Sequence, residues 1–227
     1  MMTKSRWNEL WQEFRTVVLG KTGLVDLVGP PLLFVFVSNQ APLTAAAAAS
    51  AGLCAALALW RWHRKQPLTY TLLGLGGALL AALFAWLSGT AAGFFLPDLL
   101  QSAFIAAACL VSSLIKRPLT ALTSRLTRGW PAGWYDHPQV LPAYQKVNNI
   151  WAAFFILRTL LQAALLQIRS PWVLLTANLL SGWPATVLLL AASYLYGLQK
   201  LRAMKGPSVE EFEKQSPPPW TGQTRGF

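Results

Sequence analysis

The chain has 227 residues, of which 54% are hydrophobic and only 12% are charged, and its mean hydropathy is +0.41. This composition excludes an ordinary soluble domain and indicates an integral membrane protein. A net charge of +11 would favour nucleic acid as a partner of a soluble protein. In this chain the basic residues cluster at the ends of apolar segments, where they face anionic headgroups, so no nucleic-acid partner is expected.

An amphipathic helix is predicted over residues 1–22, ahead of the first apolar segment. Trp7, Leu10, Trp11 and Phe14 recur at helical spacing and form its apolar face. A Trp-rich helix of this kind most often lies flat in the membrane interface. Docking to a partner membrane protein is the alternative interpretation.

Six apolar segments follow, and each is long enough to cross a bilayer. They cover about 23–40, 43–60, 70–87, 99–115, 150–167 and 172–198. The last is long enough to tilt or to extend beyond the bilayer. The sequence therefore predicts an interfacial helix at 1–22, a six-helix membrane domain at 23–205 and a polar, Pro-rich cytoplasmic tail at 206–227.

The basic residues fix the expected orientation. Seventeen of the nineteen Lys and Arg residues lie on one side of the membrane if each apolar segment crosses once. They are Lys4, Arg6, Arg15 and Lys21; Arg61, Arg64 and Lys65; Lys116, Arg117, Arg125, Arg128 and Lys146; and Lys200, Arg202, Lys205, Lys214 and Arg225. The positive-inside pattern places both termini in the cytoplasm. We expect an all-α, polytopic protein of the bacterial inner (cytoplasmic) membrane, with a thylakoid-type internal membrane as the alternative location.

The connection between the fourth and fifth apolar segments contains a second amphipathic pattern. Its apolar face comprises Leu119, Leu122, Leu126 and Trp130. Arg125 and Arg128 lie on other faces, and Pro131 ends the predicted helix. Beyond it the prolines predict an irregular loop as far as Asn148 and Asn149, which are candidate N-caps for the fifth span.

The tail contains three consecutive prolines followed by Trp220, a pattern typical of polyproline II. We expect the tail to be disordered. Binding to an aromatic-lined groove or to a neighbouring subunit is the alternative, with Trp220 as a docking residue.

Arg158 is the most unusual side chain of the apolar segments, because a charge within a span is costly and is retained for a reason. Asp26 is the expected counter-charge, and Gln162 and Asn178 are expected to extend the polar network. The favoured interpretation is a structural pair that joins the first and fifth spans. The alternative is a path for an ion, a proton or an anionic substrate.

Two spans contain predicted helix breaks, at Gly29, Pro30 and Pro31 and again at Gly182 and Pro184. Breaks of this kind form substrate sites in some transporters. They more often produce only a kink that neighbouring helices accommodate.

Catalysis has no support in the sequence. The two histidines, His63 and His137, fall in cytoplasmic connections without a carboxylate cluster or a nucleophile motif. We therefore expect no enzyme, no catalytic residue, no metal site and no cofactor, although a pigment or a lipid is conceivable.

Four motifs carry a family resemblance: GLVDLVGPP at 23–31, KRPL at 116–119, WAAFFILR at 151–158 and GWP at 182–184. With them the chain resembles an uncharacterised bacterial membrane-protein family that is catalogued as a domain of unknown function. More distantly, through PLLF at 31–34, KRPL at 116–119 and NIWAAFFI at 149–156, it is similar to intracellular septation protein A, an inner-membrane protein of the cell envelope. The resemblance implies a non-enzymatic accessory or scaffold subunit that contacts other membrane proteins. The alternative function is a small transporter or channel that uses the intramembrane Asp and Arg.

Overall fold

The computed structural model of the protein describes residues 24–65, 69–224 and 226–227, without the side chains of 24–27 and 69–74. Every regular element in this part of the chain is helical, which confirms the predicted all-α class. The amphipathic helix predicted at 1–22, with Trp7, Leu10, Trp11 and Phe14, lies outside the described residues.

The described part of the chain folds into helices joined by short connections. In chain order they are α1 Leu24–Ser38, α2 Leu43–His63, α3 Thr69–Ser88, α4 Leu96–Leu114, α5 Leu119–Arg128, α6 Ala132–Tyr135, α7 Leu141–Ile168, α8 Pro171–Ser181, α9 Trp183–Ala203 and α10 Val209–Glu213. A 3₁₀ turn at Ala91–Phe95 leads directly into α4.

Several of these helices have the length and apolarity of membrane spans. Within the described residues, four segments meet both conditions: Leu43–His63, Ala91–Leu114, Leu141–Ile168 and Pro171–Ala203. The described parts of two further apolar helices, Val28–Ser38 and Leu75–Ser88, are shorter. The chain is therefore a membrane-embedded, multi-pass helical protein.

The fifth predicted span is longer than expected, because α7 begins at Leu141. Pro142 is the second residue of this helix. Backbone N–H groups in the first turn have no intrahelical acceptor, so proline costs no hydrogen bond there, and its fixed φ suits the helix. The prediction that Asn148 and Asn149 cap the helix is wrong. Asn148 is instead buried within α7, and its Nδ2 donates to Cys109 O at 2.8 Å.

The two predicted proline breaks differ in outcome. The helix is interrupted at Gly182, the residue before α9, whose ψ angle is −118°. Pro184 lies in the first turn of α9. The break predicted at Gly29, Pro30 and Pro31 is wrong, because α1 continues through both prolines. The Ser50 hydroxyl of α2 donates to Pro30 O at 3.1 Å, the kind of neighbouring contact that makes proline tolerable in a buried helix.

Several helices are followed by a basic residue in the left-handed backbone conformation. Lys65, Lys116, Arg169 and Lys205 have φ between 50° and 56°. This position closes the last helical turn, and a cation there interacts favourably with the helix C-terminus. Two of the predicted basic clusters thus begin or end at helix C-termini.

The chain divides into two compact units. The first contains the described residues up to Pro97 together with Leu165–Leu179. Its core includes Phe34 and Phe94, whose rings stack with centroids 4.0 Å apart. Alanines at the helix contacts allow close approach of the backbones, as is usual in membrane helices.

The second unit contains Asp98–Ala164 and Leu180–Phe227. Its α4 and α7 run antiparallel, since Cys109 lies beside Asn148 at one end and Asp98 lies beside Arg158 at the other. Between these contacts Ala106, Phe155 and Leu189 form a small apolar core that also includes α9.

Candidate functional site

The first candidate site is an ion pair between α4 and α7. Arg158 Nη2 donates to both carboxylate oxygens of Asp98, at 2.9 and 2.8 Å. Gln162, one turn further along α7, donates to Asp98 Oδ2 at 2.7 Å. The Arg158 side chain is 10% exposed and that of Asp98 is 33% exposed. The three side chains form one hydrogen-bonded group within the second unit.

The described partner of Arg158 is therefore Asp98, whereas the sequence predicts Asp26. The side chain of Asp26 lies outside the described residues. In the sequence Asp98 looks like part of an outer connection, because Pro97 precedes it. The structure includes both residues in α4, whose first turn tolerates proline and favours an acidic residue near the positive end of the helix dipole.

The other members of the predicted network are distributed over both units. Gln162 belongs to the second unit and binds the carboxylate of the pair. Asn178 lies in α8, in the first unit. Because Asp98 accepts hydrogen bonds from both Arg158 and Gln162, this arrangement neutralises the buried guanidinium and fixes the contact of α4 with α7.

The second candidate site is an aromatic cluster in the polar part of the second unit, formed by Trp130, Trp134, Tyr135 and Tyr144. Trp134 and Tyr135 meet edge to face with centroids 5.0 Å apart, and Tyr135 and Tyr144 do so at 5.2 Å. This geometry is favourable for aromatic rings beyond the area that they bury. Trp134 and Tyr144 are completely buried.

The hydroxyl groups of the aromatic cluster are satisfied internally. Ser124 Oγ of α5 lies 3.2 Å from the Tyr135 hydroxyl and 3.3 Å from the Tyr144 hydroxyl. Burial raises the pKa of Tyr135, which keeps its phenol protonated at neutral pH. The cluster therefore has the chemistry of a structural core.

The tail is docked on this cluster, so the prediction of a disordered tail is wrong. Trp134 Nε1 donates to Pro207 O at 2.9 Å. At the other end of the tail, the Phe227 ring stacks on Tyr144 with a centroid distance of 4.3 Å and an interplanar angle of 11°. Arg128 Nε donates to Phe227 O at 3.1 Å. The groove that holds the tail belongs to its own chain.

Glu211 holds the tail in its folded conformation. Its Oε2 accepts from Ser208 N at 2.8 Å as part of a capping box that starts α10. Its Oε1 accepts from the Thr221 hydroxyl at 2.6 Å and from Thr221 N at 2.8 Å. Hydrogen bonds from the Thr221 hydroxyl, then from the Ser208 and Thr221 backbones, lower the pKa of Glu211 to about 2.

Trp220, the predicted docking residue, packs against its own chain. Its ring stands edge-on to His137 with centroids 5.4 Å apart, and its Nε1 donates to Ser216 O at 2.8 Å. The imidazole of His137 accepts from Gln139 N at 3.3 Å through Nδ1. His63 is exposed in the last turn of α2. Across the described ranges, no three His, Cys, Asp or Glu side chains come together as metal ligands would.

Most of the tail contacts have no sequence pattern from which they could be predicted. One signal is present, because the spacing of Ser208 and Glu211 matches a capping box. Gly197 has no such signal, although a β-carbon there would collide with the Phe227 ring. Phe227 and Gly197 are thirty positions apart, and no local pattern predicts that they touch.

A comparison with protein families matches residues 19–203 to the model described as "Protein of unknown function (DUF3159)". Neither the curated proteins nor the solved structures contain a match to the chain.

Proposed function

We propose that this chain, which belongs to the DUF3159 family, is a non-enzymatic accessory or scaffold subunit of a larger membrane assembly. The observation that carries the proposal is the tail-clamped cap, by which we mean residues 119–144 together with residues 206–227. In it a folded tail covers a buried aromatic cluster and leaves an ordered surface outside the apolar parts of the helices.

An ordered surface suits a docking role, because a partner that binds it does not have to fix a mobile segment first. The aromatic hydroxyls of the cap bond to Ser124, and Glu211 bonds within the tail, so these polar groups serve the architecture. Trp220 is half-buried at the surface of the cap and is the aromatic side chain that we expect a partner to contact.

We further infer six spans with both termini in the cytoplasm of a bacterial cell, embedded in the inner membrane. Support comes from the four long apolar segments. It also comes from α1 and α3, which are apolar wherever their side chains are described. Three pairs of antiparallel crossings then bring all four basic clusters to one side. The cap would lie on that cytoplasmic side, where soluble and membrane partners can both approach it.

A small transporter or channel is the second candidate function. The observation that favours it is the group of Asp98, Arg158 and Gln162 between two helices of spanning length. We rank it second because Arg158 Nη2 already contacts both carboxylate oxygens of Asp98, so that the two charges neutralise each other.

The experiment for the scaffold role is extraction of the tagged protein from its native membrane in mild detergent, followed by a native gel and mass spectrometry. We expect a stoichiometric larger complex. Deletion of residues 206–227 exposes the aromatic cluster and removes Trp220, and should reduce the recovered partner by about tenfold or more.

A point variant tests the same surface with the tail present. Gly197→Ala displaces the Phe227 ring from Tyr144 and should lower partner recovery by a smaller factor. Gly52→Ala is the matched control, because a β-carbon at Gly52 meets no atom within 4 Å. A lone wild-type monomer, or equal partner recovery from the deletion variant, contradicts the proposal. If the wild type is a lone monomer, the decisive test of transport is to compare liposome flux between the wild type and Asp98→Asn.

A further inference from the structure

The second unit contains a cavity of about 270 Å³ between α5, α7, α9 and the tail. Its walls include Thr123, Ser124 and Thr127 from α5, Trp151 from α7, Leu190 from α9 and Phe227 from the tail. An apolar cavity of about 150 Å³ holds a benzene molecule. By that measure the space in the second unit accommodates about ten carbon atoms.

Several polar groups of the walls are already hydrogen-bonded within the protein. The Thr123 hydroxyl donates to Thr120 O at 3.0 Å, and the Thr127 hydroxyl donates to Thr123 O at 2.9 Å. Trp151 Nε1 donates to Ser193 Oγ at 2.8 Å. These bonds occupy the two threonine hydroxyls and the indole N–H, and Val147, Leu190 and Phe227 add apolar side chains to the lining, so the space favours hydrocarbon over a polar solute.

Exposed leucines lie on two of the helices that line the cavity. Leu190 is 47% exposed and belongs to a helical segment of spanning length. On α5, Leu126 is 77% exposed and lies three residues from Thr123, on the neighbouring stripe of the helix. Both leucines are apolar side chains directed outward, as expected of residues in contact with lipid, so a lipid chain can enter from the side.

A cation lies next to the wall that the tail contributes to the cavity. Arg128 Nε is 3.1 Å from the carbonyl oxygen of Phe227, and Phe227 itself lines the cavity. Four basic residues lie between Asp98 and Asp136, and the sequence has no acidic residue in that interval. They are Lys116, Arg117, Arg125 and Arg128. A negatively charged headgroup is the complement of this surface.

We propose that this cavity binds one acyl chain of an anionic phospholipid, with the lipid phosphate at Arg128. The inference goes beyond the scaffold role, because it assigns a lipid ligand to a cavity that α5 and Phe227 of the tail-clamped cap help to line. It also gives the tail a second contact: Phe227 forms one wall of the lipid site while it covers Tyr144.

The test is photolabelling of the full-length protein in nanodiscs. The probes are phosphatidylglycerol and phosphatidylcholine that each carry a diazirine on one acyl chain, and labelled residues are mapped by mass spectrometry. We expect labelling at Thr123, Thr127 and Trp151. Phosphatidylglycerol should label these residues about fivefold more than phosphatidylcholine, since one surface cation contributes about 1 kcal/mol toward anionic lipid.

Two variants fill the cavity, one from α5 and one from α9. Thr127→Phe and Leu190→Trp should each reduce cavity labelling by about tenfold, which corresponds to the lost burial of about two methylene groups. The matched controls are Thr176→Phe and Leu188→Trp. Thr176 has the same hydroxyl bond to its own helix as Thr127, and Leu188 is an exposed leucine of the same helix as Leu190.

Arg128→Gln separates the headgroup contact from the chain contact. It should abolish the preference for phosphatidylglycerol while labelling by phosphatidylcholine persists, and Arg117→Gln, at an exposed residue that precedes α5, should preserve the preference. Equal labelling of the cavity residues in the filled variants and in the wild type overturns the acyl-chain site. Equal labelling of the wild type by both probes overturns the assignment of an anionic headgroup. Loss of a protein partner in the native gel affects neither outcome.

Discussion

At the scale of single residues, Arg158 illustrates what a sequence can and cannot indicate about a buried charge. Its position in an apolar segment predicts a partner, because an isolated guanidinium there is costly. The choice between Asp26 and Asp98 depends on where α4 begins. The helix starts at Leu96, so Asp98 lies in its first turn and reaches both Arg158 and Gln162.

We expect unequal losses of stability when either residue of the Asp98–Arg158 pair is replaced. Asp98→Leu leaves the 10%-exposed Arg158 without its carboxylate and should destabilise the protein by roughly 3 kcal/mol. Arg158→Leu should cost less, because Asp98 is one-third exposed and water can solvate it. The double variant should lie within about 1 kcal/mol of the wild type, since apolar residues can replace a buried pair.

The measurement for these variants is thermal unfolding in a mild detergent, followed by size-exclusion chromatography of the surviving fraction. If the double variant is as unstable as Asp98→Leu alone, the loss does not arise from an unpaired Arg158, and the pair is not what stabilises the contact of α4 with α7.

At the scale of elements, the tail shows how composition can mislead. A polar, proline-rich segment is typical of disorder. In this protein Trp134 fixes Pro207 at one end and Tyr144 holds Phe227 at the other, while Glu211 joins Ser208 to Thr221 between them. Most of these contacts reach residues far away in sequence, so local composition does not predict them.

The docking of the tail should depend on pH in the acidic range. The pKa of Glu211 is about 2 in the folded tail, below its ordinary value of 4.5, so the charged carboxylate stabilises the fold. This contribution is complete above about pH 4.5 and is lost as the pH falls from there toward 2. We therefore expect constant docking from pH 8 down to about pH 5 and progressive release below it.

A nitroxide on Lys214→Cys measures this release by electron paramagnetic resonance, in a Cys54→Ala, Cys109→Ala background. The spectrum should become more mobile as the pH falls from about 4.5 toward 2. Glu211→Gln should be more mobile already at about pH 7 and should respond less to acid. Glu213→Gln is the control, because Glu213 is an exposed residue of the same short helix. A Glu211→Gln spectrum identical to that of the wild type at neutral pH contradicts this role.

At the scale of the whole molecule, the basic residues and the apolar segments together predict the threading. Charges at the ends of α2, α5 and α9 belong to one side of the membrane under this prediction. Arg158 and Arg169 are the exceptions among the nineteen basic residues. Arg158 is neutralised by Asp98 within the second unit, which reduces its weight as a topology signal.

Cysteine labelling tests the threading. In a background without Cys54 and Cys109, Gln40→Cys and Ser170→Cys should react with an impermeant maleimide in right-side-out vesicles. Lys214→Cys should react only after permeabilisation, because the tail is expected in the cytoplasm. Reaction of Lys214→Cys in sealed vesicles, together with protection of Gln40→Cys, would reverse the predicted orientation.

The sequence by itself determined the class of this protein. Apolar segments of spanning length have no other stable environment than a bilayer, and their helical periodicity is local, so both could be inferred from composition and spacing. The first residues of the helices were harder to predict, because Pro97 and Pro142 look like helix breaks although each lies in the first turn of a helix. Only the tertiary structure decided that Arg158 pairs with Asp98, that α1 continues through Pro30, and that the tail binds its own aromatic cluster. Each of these depends on side chains far apart in sequence, whose contact is set by how the helices pack.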